Sequence, residues 1–379
     1  MAHSEFRVPR SRAFRTHAAM RDEILSALEP LLFGSMNGAY EARSRLEHAW
    51  AEHFGQPHAI AAHSGTIALV VALRACGVGP DHEVITVGNS DISTTAAVRH
   101  CGATPVLCDV LEEDYTLDLS LVEALITPRT RAILPVDLHG HPADVRGLRA
   151  IADRYDLRIV EDAALAAGAF DHGLPVGAFA DAAVFSFAPF KPLGSVGNGA
   201  MIVAHDERIA RQSRLLVGYG HDPDAGDLAV GHQRYIEEGF NVPLDGMEAA
   251  LLTVKLPYLS NWTARRQVVA RAYENGLADT SVICPRFRAD SQPTFRSYTV
   301  QVPDRQAVYT HLRKVGVEVV LHYTPPAHRH PVYGGPLPNS HALPVTDRLS
   351  ETLICLPVTP ELTDDEIAYV LSELRAQLT

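Results

Sequence analysis

Between residues 58 and 204 the chain carries seven short runs in which almost every side chain is apolar, at 58–62, 83–87, 105–109, 131–136, 157–161, 182–187 and 201–204. A strand that is apolar along its whole length has to be covered on both faces. Helix-period stretches at 66–76, 93–101, 119–126 and 143–155 separate most of these runs. That alternation predicts a mostly parallel sheet whose right-handed crossovers lay helices on either side. Past residue 256 the texture changes: helical patterns at 244–259 and 261–277 lead into strands near 297–302 and 317–321. An amphipathic helix at 364–378 ends the chain, opened by Thr363 and a run of acids suited to a helix N-terminus. The expected architecture is α/β: a large domain over residues 1–255, with an N-terminal helical segment and a seven-stranded mostly parallel sheet, and a smaller α+β domain over 256–379.

Charge narrows the partners. With 33 Lys+Arg against 45 Asp+Glu the net charge is −12, which opposes nonspecific binding to nucleic acid or anionic membrane, since both need clustered cations. The N-terminus MAHSEFRVPR lacks the apolar core of a signal peptide and the aliphatic stretch 68–73 is far too short to span a bilayer, so a soluble cytoplasmic protein is expected. Five cysteines form no CxxC pair, which argues for reduced core residues rather than disulfides or a thiolate zinc site. Among 19 histidines the closest pairs are His139 with His141 and His328 with His330; neither has a helical HExxH spacing, and no metal is expected.

Three constellations carry chemistry. Ser64-Gly65-Thr66 follows a predicted strand and opens a predicted helix, where free N–H groups and the helix dipole form a site for phosphate. The same residues could simply cap that helix. Glu161-Asp162-Ala163-Ala164 stands at the carboxyl end of an apolar strand, the place where open α/β sheets hold ligands. A carboxylate there stays ionised only against a cation or several donors, and a protonated heteroaromatic nitrogen is one such partner; capping the next turn is the other use. Lys191 lies in FSFAPFKPLG among three phenylalanines. Burial there would lower its pKa and free its amine to form a Schiff base, whereas a loop lysine in water would do nothing. A phosphate cradle, an acid at a strand end and a lysine 29 residues beyond it meet the requirements of pyridoxal 5′-phosphate. The phosphate in its cradle anchors; the acid keeps the pyridine nitrogen protonated; the lysine carries the aldehyde and later moves protons.

With these residues in place, the chain resembles the DegT/DnrJ/EryC1/StrS family of sugar aminotransferases, which have the fold-type-I architecture of aspartate aminotransferase. The resemblance runs nearly end to end, through HSGTIALVVAL, GATPVLCDV, TPRTRAILPV, EDAALAAGA, FSFAPFKPLG, GFNVPLDGMEAALL, VKLPYLSNWTARR, HYTPPAHRHPVY and LICLPVTPELTDDEI. It implies a homodimer with active sites at the subunit interface, and transfer of an amino group to a nucleotide-linked keto sugar or a keto cyclitol. It also implies that Lys191 is the Schiff-base lysine and Asp162 the partner of the pyridine nitrogen. Gly65, Thr66 and Ser186 would hold the phosphate, with Asn241 of GFNVPL reaching it from the neighbouring subunit.

The pocket departs from the family pattern. Leu165 stands where EDAAQA has glutamine, Asp91 aligns with an aromatic residue stacked on the pyridine ring, and Pro243 replaces an arginine. Asp137 and His139 replace a frequent His and Tyr. Asp91 has a second reading as the cap of the helix beginning near Ser93. The expected reaction is ping-pong transamination from glutamate or glutamine through pyridoxamine phosphate, in amino-sugar or antibiotic biosynthesis. The competing readings are elimination, cyclisation or other carbanion chemistry on the same cofactor, and a non-catalytic cofactor-binding member.

Overall fold

The computed structural model describes residues 6–35, 37–222, 234–340 and 342–378. Three helices, α1 (Ala13–Ala19), α2 (Arg21–Phe33) and α3 (Gly38–Phe54), precede the first strand. Ala42, Leu46 and Trp50 recur every four residues along α3 and form its buried stripe; Gly55, with φ 62°, ends the helix in the left-handed conformation that glycine adopts without strain.

The alternating region follows as β1 (His58–Ala62), α4 (Gly65–Ala75), β2 (Glu83–Val87), α5 (Ile92–His100), β3 (Thr104–Cys108), β4 (Thr130–Ile133), α6 (Val145–Tyr155) and β5 (Arg158–Asp162). A small hairpin, β6 (Phe170–Asp171) and β7 (Leu174–Pro175), leads into β8 (Ala182–Ser186) and β9 (Ala200–Ala204). All seven predicted strands join one sheet in the order β1-β9-β8-β5-β4-β2-β3. Only β9 runs against its neighbours. The strand period separates two cores. Ile60, Ala62, Val184 and Ile202 face α4 and α7 (Glu207–Val217), whereas Ala59, Ala61, Phe185 and Met201 face α3 and α8 (Gly246–Lys255).

The remainder comprises α9 (Leu259–Leu277), β10 (Ser291–Gln292), which pairs with β6, then β11 (Tyr298–Gln301), α10 (Arg305–Lys314), α11 (Pro344–Thr352), β12 (Leu353–Leu356) and α12 (Asp364–Arg375). β11 and β12 pair antiparallel. A separate core forms around them from Tyr273, Val300, Leu312, Ile354 and Leu374, and Val8 from the N-terminal segment joins it. α12 opens as expected, with a reciprocal box in which Thr363 accepts from the Glu366 N–H and Glu366 from the Thr363 N–H.

Three sequence expectations are corrected. The helix at 119–126 is a pair of single 3-10 turns, Leu119–Leu121 and Glu123–Leu125, too short to repay helix nucleation. The helical patterns at 244–259 and 261–277 divide at a 3-10 turn, Leu256–Tyr258, where Pro257 has no N–H to give. No strand forms at 317–321: only isolated bridges hold it, Val317 to Val8 and Val320 to Cys355. Among the described residues no helix is long and apolar enough to cross a membrane.

Candidate active site

The carboxyl ends of β1, β5 and β8 deliver the predicted residues to one place. Ser64 occupies the N-cap of α4 with extended backbone (φ −158°, ψ 158°), yet its side chain makes no capping bond. Its hydroxyl and the first-turn N–H groups remain for an anion, which favours the cradle over the simple cap. Gly65 explains the close approach of β8. A Cβ there would lie 3.2 Å from Ser186 Cβ and 3.3 Å from its Oγ, so only glycine leaves Ser186 this near the helix start. Ser186 is buried, with Oγ taking a long bond of 3.4 Å from the Ala188 N–H, and Thr66 is half-buried beside it.

Glu161 and Asp162 point to opposite faces of β5, as successive strand residues must. Glu161 Oε2 accepts from the Gly177 N–H at 2.8 Å and is occupied there. Asp162, 4% exposed, accepts from Thr94 Oγ1 at 2.8 Å and from the Ala164 N–H at 3.2 Å. It therefore does tie the following turn, but two bonds leave lone pairs on both oxygens for a further donor. Burial pushes its pKa up; the Thr94 bond, the charge of Lys191 and the Ala164 bond oppose that rise. Lys191 sits in a turn, its N–H bonded to Ala188 O at 2.9 Å. Burial first, and then the charge of Arg296, push its pKa down to about 8, against the pull of Asp162 and Asp91. A free amine is therefore within easy reach of neutral pH.

Asp91 caps α5, its Oδ1 accepting from the Ser93 N–H at 2.9 Å, and its charge acts on Asp162, Lys191 and His322. Leu165 is buried in the apolar cluster beneath β2–β5, with Tyr323 packed against that cluster. Asn241 stands exposed opposite Gly218 in an isolated bridge and does not line the cavity beside its own chain's Lys191. Asp137 is tied to the site through its backbone, its N–H donating to Asp162 O at 3.1 Å. Its Oδ1 accepts from the Ala143 N–H at 2.9 Å, and burial together with the neighbouring charge of Glu161 raises its pKa well above the usual carboxylate range. His139 is fully buried with neither ring nitrogen hydrogen-bonded, and burial keeps it neutral.

Four residues at this site escaped sequence reasoning. Thr94 lies one turn into α5, where its helical spacing from Asp91 could have marked it. His322 and Tyr323, with rings stacked at 4.7 Å, lie in the HYTPPAHRHPVY motif, which was noted without assigning them roles. Burial and then the charge of Arg296 lower His322 to about 3. Arg296, just before β11, carries no local signal at all.

The model of the DegT/DnrJ/EryC1/StrS aminotransferase family matches residues 19–375. A dTDP-3-amino-3,4,6-trideoxy-alpha-D-glucose transaminase of Streptomyces venezuelae is 39% identical over 333 residues, 87% of this chain and 85% of that protein. Among solved structures, S. venezuelae DesV in complex with a ketimine intermediate superposes with a TM-score of 0.91 at 35% identity, covering 98% of each chain. NtdA from Bacillus subtilis with bound cofactor PMP gives a TM-score of 0.84 at 27% identity, over 95% of this chain and 82% of that one.

Proposed function

The chain belongs to the DegT/DnrJ/EryC1/StrS aminotransferase family, and from that premise we propose that it is a pyridoxal-phosphate-dependent aminotransferase that moves an amino group from glutamate or glutamine to the ketone of a nucleotide-linked sugar. The observation that carries the reading is the convergence of Lys191, Asp162 and the Gly65–Ser186 cradle from separate strand ends. A keto cyclitol is the second acceptor class. The transaminase relative of S. venezuelae favours the sugar, with carbon 3 as the position aminated.

The residues present fit the cofactor. The close approach of Ser186 that Gly65 permits sets its hydroxyl beside the α4 N–H groups, Ser64 and Thr66, which together would hold a phosphate, and Asp162 keeps acceptor capacity for one more buried donor. When bound, the cofactor supplies an electron sink for the carbanion formed at the donor's α-carbon. Asp162 holds the proton on the pyridine nitrogen, and Thr94 fixes the carboxylate that does so. Lys191 Nζ would hold the cofactor's aldehyde and would be the group that moves the donor's α-proton; an amine with a pKa near 8 can accept and return a proton close to neutral pH. Asn241 reaches the phosphate of the neighbouring protomer's site in a homodimer.

The test begins with the colour of the protein loaded with pyridoxal phosphate. L-glutamate or L-glutamine is expected to bleach its visible absorbance, and keto-sugar and keto-cyclitol acceptors screened by mass spectrometry to gain the amine. Lys191→Ala is expected to lose both colour and turnover, and borohydride followed by peptide mapping to place the adduct on Lys191. An adduct on another lysine overturns the assignment, and colour without bleaching by any donor overturns transamination.

A further inference from the structure

Asp171, the last residue of β6, holds a buried carboxylate oxygen with nothing bonded to it. The residue is 4% exposed; Oδ1 accepts from Arg288 Nη2 at 2.8 Å, but the buried Oδ2 has no hydrogen-bond partner. An ionised oxygen left in this way is costly. His172 Nε2 faces it at 3.9 Å, too far for a hydrogen bond. Asp144 completes a group: one ligand atom from each of Asp144, Asp171 and His172 lies within 4.8 Å of the other two. Tetrahedral ligands about 2.1 Å from a zinc ion stand about 3.4 Å apart, so a modest side-chain rotation closes these three on one ion.

The imidazole is held for this use. Its other nitrogen, Nδ1, lies 3.3 Å from Asp290 Oδ2, the carboxylate–histidine arrangement that fixes the tautomer and makes Nε2 the more basic ligand. Arg146 Nη1 also comes to Nδ1, at 3.4 Å, which leaves Nε2 as the nitrogen facing Asp171. Asp144 is anchored too, its Oδ1 capping α6 through the Gly147 N–H at 2.8 Å while Oδ2 stays available. Four carboxylates meet here, Asp114, Asp144, Asp171 and Asp290, against two guanidinium groups, Arg146 and Arg288, the second of which is also 3.8 Å from Asp114. Four acids less two cations leave two negative charges, the amount that one divalent cation balances.

We propose that Asp144, Asp171 and His172 bind one divalent cation of zinc's class, with Asp290 positioning the imidazole and a water in the fourth place. Magnesium takes oxygen ligands and disfavours imidazole, whereas zinc accepts both. The ion's task is structural: it joins the N-cap of α6 to the turn between β6 and β7, and through Asp290 it ties in β10, the strand paired with β6. None of these four residues lines the cavity beside Lys191, so the site stands apart from the aminotransferase reading. Asp144 lies 27 residues before Asp171, so spacing along the chain carries no sign of it.

The full chain, freed of metal by a chelator and loaded with pyridoxal phosphate, tests this by calorimetric titration with zinc chloride and, separately, magnesium chloride, beside thermal melts in each. One zinc ion per chain is expected, together with a higher melting temperature, and magnesium is expected to bind at least about tenfold more weakly. His172→Asn, chosen because asparagine tolerates the left-handed backbone at this position (φ 50°), is expected to weaken zinc about a hundredfold. Asp144→Asn, which keeps a capping oxygen for Gly147, is expected to weaken it about tenfold or more. Asp290→Asn, on an exposed side chain, gives a further variant if either of these does not fold; it is expected to weaken zinc about tenfold and to leave the melt of the metal-free protein unmoved. Zinc affinity equal in wild type, His172→Asn and Asp144→Asn overturns the site, as does the absence of a stoichiometric ion from the wild-type chain. Magnesium binding as tightly as zinc overturns the part given to the imidazole.

Discussion

Asp162 shows how one buried carboxylate is fitted to a single task. Its neighbour in sequence, Glu161, is turned to the other face of β5 and spent on Gly177 and Asp137, so the two adjacent acids do not compete for one ligand. In the proposed role Asp162 keeps the pyridine nitrogen charged, and Asp162→Asn removes that charge while preserving size. With a buried charged hydrogen bond contributing about 1.5–3 kcal/mol, turnover is expected to fall about ten- to a hundredfold, with cofactor still retained through its phosphate. Steady-state kinetics beside an absorbance titration checks both halves. Near-normal turnover would remove Asp162 from its role.

The helices and strands set these side chains by their ends. α5 is capped by Asp91, whose bond from the Ser93 N–H holds its carboxylate where its charge acts on Asp162 and Lys191. Asp91→Ala is expected to reduce stability by about 1 kcal/mol, through the lost cap, whereas Asp91→Asn keeps the cap and changes only the charge. Denaturant melts of the two, set beside their cofactor spectra and donor kinetics, separate the structural part from the chemical one. If Asp91→Asn leaves spectra and kinetics unchanged, the residue is a cap and nothing more. The loop after β4 places Asp137 against Glu161 from β5, and burial raises both acids above their unfolded values. Acids with raised folded pKa values contribute stability that is present at low pH and is lost as pH climbs through those values. This pair's contribution to folding stability is therefore expected to decline from the usual carboxylate range up to about pH 7, to which Glu161 is raised, and Asp137→Asn to change the pH dependence of denaturant melts in that window. Parallel pH profiles for wild type and variant would show that the pair carries no such linkage.

The assembled chain leaves Asn241 exposed and away from its own Lys191, which is the arrangement expected if it serves a second copy. Light scattering is expected to give a dimer or larger at working concentrations. Asn241→Ala should weaken cofactor retention more than it lowers the melting temperature of the cofactor-free protein. A fully active monomer would refute the shared site.

The parallel sheet, both layers of helices and the cradle–acid–lysine order were legible in the sequence because each is written in local terms. Continuous apolar runs, helical periods and motifs a few residues long mark Ser64, Gly65, Thr66, Asp162 and Lys191 as candidates without knowledge of what packs against them, and Ser186 joins them through the family resemblance. The strand at 317–321 and the helix at 119–126 were misread for the complementary reason, since apolar composition there serves packing that only the assembled cores define. Arg296, His322 and Thr94 belong to the same class. Arg266 and Arg10 are separated by more than 250 residues of chain from one another, and no spacing rule joins them. Folding brings them to the wall of the cavity beside Lys191: electrostatics acts through distance in space, to which distance along the chain is no guide.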